Sequence, residues 1–145
     1  MPRLMSASRQ MPGALRIALL ANGTFSGVSG CTIMYFAHPL NDLLGTSSRL
    51  PDTALIILGA LLAGFATTLY VVAMQQTAYV GWVKLIVGLD VAWVVGSVLL
   101  VVLGTGILSS IGRTIVIGVA VAVAGFALAQ YVGLKPATGS TRTGL

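Results

Sequence analysis

Along this chain the apolar residues gather into four long stretches separated by short polar breaks. They run from Pro12 to Phe36, Thr53 to Met74, Val80 to Leu103 and Ile111 to Leu134. A helix needs ~20 apolar residues to cross the hydrocarbon core of a bilayer, and each stretch meets that length. None alternates polar and apolar residues with period two, as a spanning strand must. The breaks carry helix punctuation. Pro12 suits a first helical turn, where its missing N–H costs nothing. Pro51 and Asp52 open the second helix, and Gly104 and Gly106 close the third.

The pattern therefore predicts an all-α integral membrane protein of four transmembrane helices. Segment 1–11 leads into a first helical hairpin over 12–74, with a connecting loop over 37–52. A second hairpin covers 75–134, and a polar tail, 135–145, follows; from Pro136 to Leu145 that tail is expected to be mobile in the isolated protein. Within the long loop, Pro39-Leu40-Asn41-Asp42-Leu43-Leu44 reads as a short interfacial helix with its leucines toward lipid or a partner, or as a capped turn.

The N-terminal third also carries marks of a secretory signal. Arginines precede an apolar run, and Val28-Ser29-Gly30-Cys31 fits a bacterial lipoprotein cleavage box. The run is interrupted by Asn22, Gly23, Thr24 and Ser26, which suits a signal core poorly. A genuine first span is the better reading, with Cys31 as a small packing residue.

Composition agrees with bilayer as solvent. Apolar residues make up 57% of the 145 and charged residues 8%, against ~25% charged in soluble domains. The formal charge of +5 does not point to nucleic acid, because the basic residues stand singly at the ends of apolar runs. A nucleic-acid footprint clusters them on one face. Their placement sets orientation through the positive-inside rule. Arg3, Arg9, Arg16, Lys84, Lys135 and Arg142 fall on one side, and Arg49 and Arg113 on the other. Both termini are thus expected in the cytoplasm of a bacterium, with the spans in its inner membrane. Tyr70, Tyr79, Trp82 and Tyr131 are placed at the inner boundary, and Tyr35 and Phe36 at the outer.

The two hairpins share wording. Ala63-Gly64-Phe65-Ala66-Thr67-Thr68-Leu69-Tyr70-Val71 aligns with Ala124-Gly125-Phe126-Ala127-Leu128-Ala129-Gln130-Tyr131-Val132. Arg16, Asn22 and Phe25 stand at the same spacing as Lys84, Asp90 and Trp93. A duplicated hairpin follows, its copies parallel and related by a pseudo-twofold axis along the membrane normal.

Asp90 is the residue that chemistry singles out. It stands about ten residues into the third span, near mid-bilayer at ~1.5 Å per residue. An ionised carboxylate there costs at least ~2.5–3.5 kcal/mol, so Asp90 must face protein or water, or stay protonated. Helical spacing puts it on a stripe with Trp93, Val94, Ser97 and Val101. Asn22 lies at a similar depth, with Ser26 and Ser29 on its face, so the first and third spans are expected to meet through Asn22 and Asp90. Arg16 is the candidate charge partner. The stripe has two readings, a proton- or cation-coupling group or a buried anchor for packing.

Gly23, Gly27 and Gly30 form a small-residue surface for helix packing, with Gly59 and Ala63, then Gly118 and Ala122, as similar surfaces on spans two and four. His38 has only Asp42 within a turn and makes no metal site, and Arg113 is expected to snorkel to head groups. One Cys, one His, three Asp and no Glu allow no internal disulfide, no two-histidine haem site and no catalytic set, and no cofactor is expected. The chain reads as a non-catalytic accessory or assembly subunit of a larger membrane complex, of respiratory or photosynthetic type. The alternative is a small homo-oligomeric transporter or channel using Asp90, with a water-accessible cavity and a polar path leading from it.

Overall fold

The computed structural model describes residues 10–45, 51–77 and 79–138, with side chains to Lys135. It is all-helical, and among these residues there are five helices: α1 (Gly13–Tyr35), α2 (Ala37–Leu44), α3 (Asp52–Met74), α4 (Val80–Leu103) and α5 (Ser110–Thr138). Four of them, α1, α3, α4 and α5, are long and apolar enough to cross a membrane. The segments 1–9, 46–50 and 139–145 lie outside the described residues, so most of the expected tail, Arg3, Arg9, Arg49 and Arg142 are not placed.

The boundaries follow local chemistry. Pro12 stands just before α1, in an extended conformation rather than inside its first turn. The segment from Pro39 to Leu44 is helical, and α2 begins two residues earlier, at Ala37. Pro39 falls in the first turn of α2, where no backbone donor is required. At the far end, α5 runs past the apolar stretch to Thr138. Lys135 marks where the hydrophobic run ends but does not break a helix. Its Nζ lies 5.3 Å from the centroid of the Tyr131 ring one turn back.

In each hairpin the two long helices pack together, α1 on α3 and α4 on α5, and α1 also packs on α5. The helices are thus arranged in the order α3, α1, α5, α4. By contrast α3 and α4 barely approach each other, and the backbones of α1 and α4 nowhere come within 8 Å. Helix α4 is the least covered span, with 11% of its apolar window buried against 33% for α1.

Close backbone approach holds α1 to α3. A Cβ on Gly30 would lie 2.7 Å from the Gly59 carbonyl oxygen, and one on Gly59 would lie 2.6 Å from the Gly30 oxygen. Gly27 faces the Ala66 Cβ at 3.4 Å and Gly23 the Leu69 Cβ at 3.3 Å. Glycine lets the helices meet at contact distance, which matters where lipid removes the hydrophobic drive for association. Gly118 behaves differently from the expected packing surface: nothing lies within 4 Å of its Cβ direction. Cys31 is likewise exposed rather than packed.

Both ends of the bundle are fastened. At one end the Met11 N–H donates to the Gln76 carbonyl at 3.0 Å. At the other, the Ser109 N–H donates to Leu44 O at 2.8 Å, and its hydroxyl donates to Leu43 O at 2.7 Å. The same hydroxyl accepts the Gly112 N–H at 2.9 Å, which makes Ser109 an N-cap for α5. The Met11 end is called the terminal end below, and the Ser109 end the loop end.

Candidate functional site

Near the middle of the bundle three helices each contribute one buried polar side chain. These are Asn22 from α1, Asp90 from α4 and Gln130 from α5, exposed by 0%, 3% and 0%. Asn22 Nδ2 donates to Asp90 Oδ2 at 2.7 Å, and Ser26 Oγ donates to Asn22 Oδ1 at 3.2 Å. The chain of donors therefore ends on the Asp90 carboxyl group.

Gln130 stands close enough to the Asp90 carboxyl to act on it as a weak side-chain donor, but neither Nε2 nor Oε1 of its amide meets full hydrogen-bond geometry with any partner. An unmet buried amide costs ~1–3 kcal/mol in protein interiors, so this residue calls for a reason. Sequence reasoning did not single it out, although one signal was present. In the aligned hairpins Gln130 takes the place of Leu69, and both are fully buried. A polar side chain at a position its counterpart fills with leucine marks a site.

Toward the terminal end the polar layer rests on apolar residues. Leu19 precedes Asn22 by three residues, Ile86 precedes Asp90 by four and Leu134 follows Gln130 by four. All three belong to one buried cluster with Leu15, Leu69, Val72, Ala73 and Val83. This cluster separates Asp90 from the terminal end.

Toward the loop end the two hairpins part. A cavity of about 350 Å³ opens there, with Asp90 in its wall beside Phe25, Phe65, Trp93, Val119 and Val123. Small-molecule sites span ~300–1,000 Å³ and are mostly apolar with a few placed polar groups. Ser26 and Ser29 also line it, as do Leu61 of α3 and Leu89 of α4. Those two leucines are 67% and 49% exposed. Because α3 and α4 barely meet, the cavity opens sideways between them, onto the surface that faces lipid. The expected polar path away from Asp90 is absent from this lining.

Other candidate residues lie elsewhere. Arg16 is exposed and forms no ion pair with Asp90; six residues rotate it by about 240° around the helix from Asn22 at 3.6 residues per turn. Trp93 is half-buried against the cavity. Ser97 is buried but turns back to donate to the Trp93 carbonyl at 2.8 Å, so it satisfies itself locally. It lines a second cleft of about 220 Å³ between α4 and α5, otherwise made of valine, isoleucine and alanine.

His38 does not pair with Asp42. Its Nδ1 lies 2.9 Å from Asp52 Oδ2, while Asn41 Nδ2 donates to Asp52 Oδ1 at 2.8 Å. The loop helix α2 is thereby clasped to the start of α3. Arg113 Nη2 donates to the Thr105 carbonyl at 3.1 Å, and Tyr70, expected at a membrane boundary, shares a 2.7 Å hydrogen bond with Thr24. Among the described residues no group of three His, Cys, Asp or Glu side chains could hold a metal.

No protein-family model, curated protein or solved structure matches this chain.

Proposed function

We propose that this protein is a membrane-embedded binding unit of transporter type, which takes a small lipophilic molecule from the bilayer and holds it between its hairpins at Asp90. The observation that carries the reading is the laterally open, apolar cavity of about 350 Å³ with one carboxylate in its wall. A buried anchor for packing needs no such space beside it. A channel is less well supported, since the lining offers no polar path and the Leu19–Ile86–Leu134 layer lies toward the terminal end. The proposal keeps the expected setting, a bacterial inner membrane with both termini cytoplasmic. Arg16, Lys84 and Lys135 toward the terminal end, against Arg113 at the loop end, support it.

A duplicated hairpin is part of the same proposal. Ala66 and Ala127, paired in the alignment, are both buried. Asn22 and Asp90, also paired, touch each other, as residues beside a twofold axis do. Movement of one hairpin against the other is then the natural way to open and close the cavity.

Native mass spectrometry of the protein released from its own membrane in mild detergent tests the binding reading. A retained adduct of fixed mass is expected, and Val119→Phe, which fills the cavity, removes it. An adduct that persists unchanged in Val119→Phe, or none from any membrane preparation, contradicts the reading.

A second reading draws on α4. With so little of its surface covered, this helix is the natural face for another membrane subunit or a second copy of the chain. Co-migration of a second polypeptide at fixed stoichiometry on native gels, lost when Val95 and Val102 on that face become tryptophan, is the outcome it requires.

A further inference from the structure

The polar layer also constrains the chemistry of the guest. We infer that the molecule held in the cavity carries an ammonium group, which pairs with the Asp90 carboxylate. Its apolar body lies among Phe25, Phe65 and Trp93. The inference rests on the binding reading above and adds the head group.

Three observations converge on it. First, Asp90 has one oxygen engaged by Asn22 and stands in the wall of a cavity. Asn22 supplies a hydrogen bond but no charge. Among the described residues no cationic side chain pairs with Asp90: Arg16 and Lys84 are exposed on other faces, Lys135 lies over Tyr131, and Arg113 is bonded to Thr105. A cationic guest supplies the counter-charge that no described side chain gives this carboxylate.

Second, the fully buried amide of Gln130 stands beside that carboxylate without lining the cavity. Asn22 and Gln130 therefore hold the carboxyl group from the protein side, and an ammonium reaches it from the cavity side. A hydroxyl or a bridging water does the same but brings no charge. A carboxylate guest sets two like charges together.

Third, the walls suit a cation. Phe25, Phe65 and Trp93 surround the space next to Asp90, and Phe25 stacks at a tilt on Phe126 with centroids 5.5 Å apart. Aromatic faces attract ammonium ions, most strongly where water is excluded. Their apolar area accepts the hydrocarbon part of an amphiphile arriving through the gap between Leu61 and Leu89.

The test uses Trp93 as reporter in a Trp82→Phe background, with the full chain in phosphatidylcholine nanodiscs. Three probes share one body and differ in head group: para-bromobenzylamine, para-bromobenzyl alcohol and para-bromobenzoate, each quenching tryptophan through bromine. Saturable quenching by the amine is expected at a concentration about tenfold lower than by the alcohol, with the benzoate weakest. Asp90→Asn, which keeps the Asn22 contact, brings amine and alcohol together. Equal saturable quenching by amine and alcohol overturns the head-group inference and leaves the binding reading standing. Quenching that rises linearly for all three probes, unchanged in Val119→Phe, overturns both.

Discussion

Asn22 and Asp90 are joined by a 2.7 Å hydrogen bond although their helices, α1 and α4, keep their backbones more than 8 Å apart. A side-chain bridge across such a gap does two things. It fixes the hairpins at a set separation, and the space they do not fill toward the loop end becomes a cavity. The bond is thus both a structural tie and one wall of the candidate site.

That dual role makes the pair coupled in stability. Replacing Asn22 by Ala is expected to cost ~0.6 kcal/mol, the mean for interhelical hydrogen bonds in membranes, and no more than their maximum of ~1.7 kcal/mol. In a double-mutant cycle, Asn22→Ala with Asp90→Ala should cost less than the two singles summed, because the second change removes a carboxylate already left without a donor. Unfolding titrations of the four proteins in mixed micelles read this directly. Strict additivity would show that the contact carries no energy.

The α1–α3 crossing makes a steric prediction. Gly59→Ala pushes a methyl group onto the Gly30 carbonyl and the Met34 backbone, and overpacking of this kind costs ~1–3 kcal/mol. Gly118→Ala, with open space around it, should stay within ~0.5 kcal/mol. Thermal unfolding of the two variants side by side gives the comparison, and equal losses would contradict the crossing.

Ser109 holds two elements through one hydroxyl. Ser109→Ala removes the N-cap of α5 at a cost of ~0.5–2 kcal/mol and frees the Leu43 carbonyl of α2. Hydrogen exchange should speed up in the first turn of α5 and at the end of α2, with the middle of α5 unaffected. Faster exchange confined to α5 would mean that the link to α2 is not formed.

At the α2–α3 clasp, exposure decides which residue matters. The His38–Asp52 pair has side chains 71% and 42% exposed, so His38→Ala should change stability by no more than ~0.5 kcal/mol. Asn41 is 4% exposed, and Asn41→Ala removes a buried donor to Asp52, at ~0.5–1.5 kcal/mol. Chemical unfolding ranks the two, and the reverse order would contradict the clasp geometry.

Much of this was legible in the amino-acid order. Helix length and hydropathy mark the four long helices, and the Pro39–Leu44 segment marks α2. Depth along the helix brings Asn22 to Asp90. What escaped depends on rotation and on the absence of neighbours. Arg16 has the right reach but stands on another face, which a count of residues from the membrane boundary does not reveal. Gly118 repeats the spacing of packing glycines, yet spacing does not say whether a helix lies opposite. Gln130 looks like one polar residue near the end of a span. Its meaning comes from being buried beside a carboxylate, which only the assembled helices express.

The central claim is that the space between the hairpins receives a small molecule from the bilayer, and photolabelling measures that most directly. A small aromatic diazirine dissolved in the membrane, activated at rising concentration and mapped by peptide sequencing, reports occupancy residue by residue. Labelling of Phe25, Phe65 and Trp93 is predicted to saturate, to fall with excess benzylamine and to vanish in Val119→Phe. Labelling of the lipid-facing Val102 and Leu103, 62% and 75% exposed, should rise in proportion to probe. Proportional, non-competable labelling at all five residues would contradict the claim.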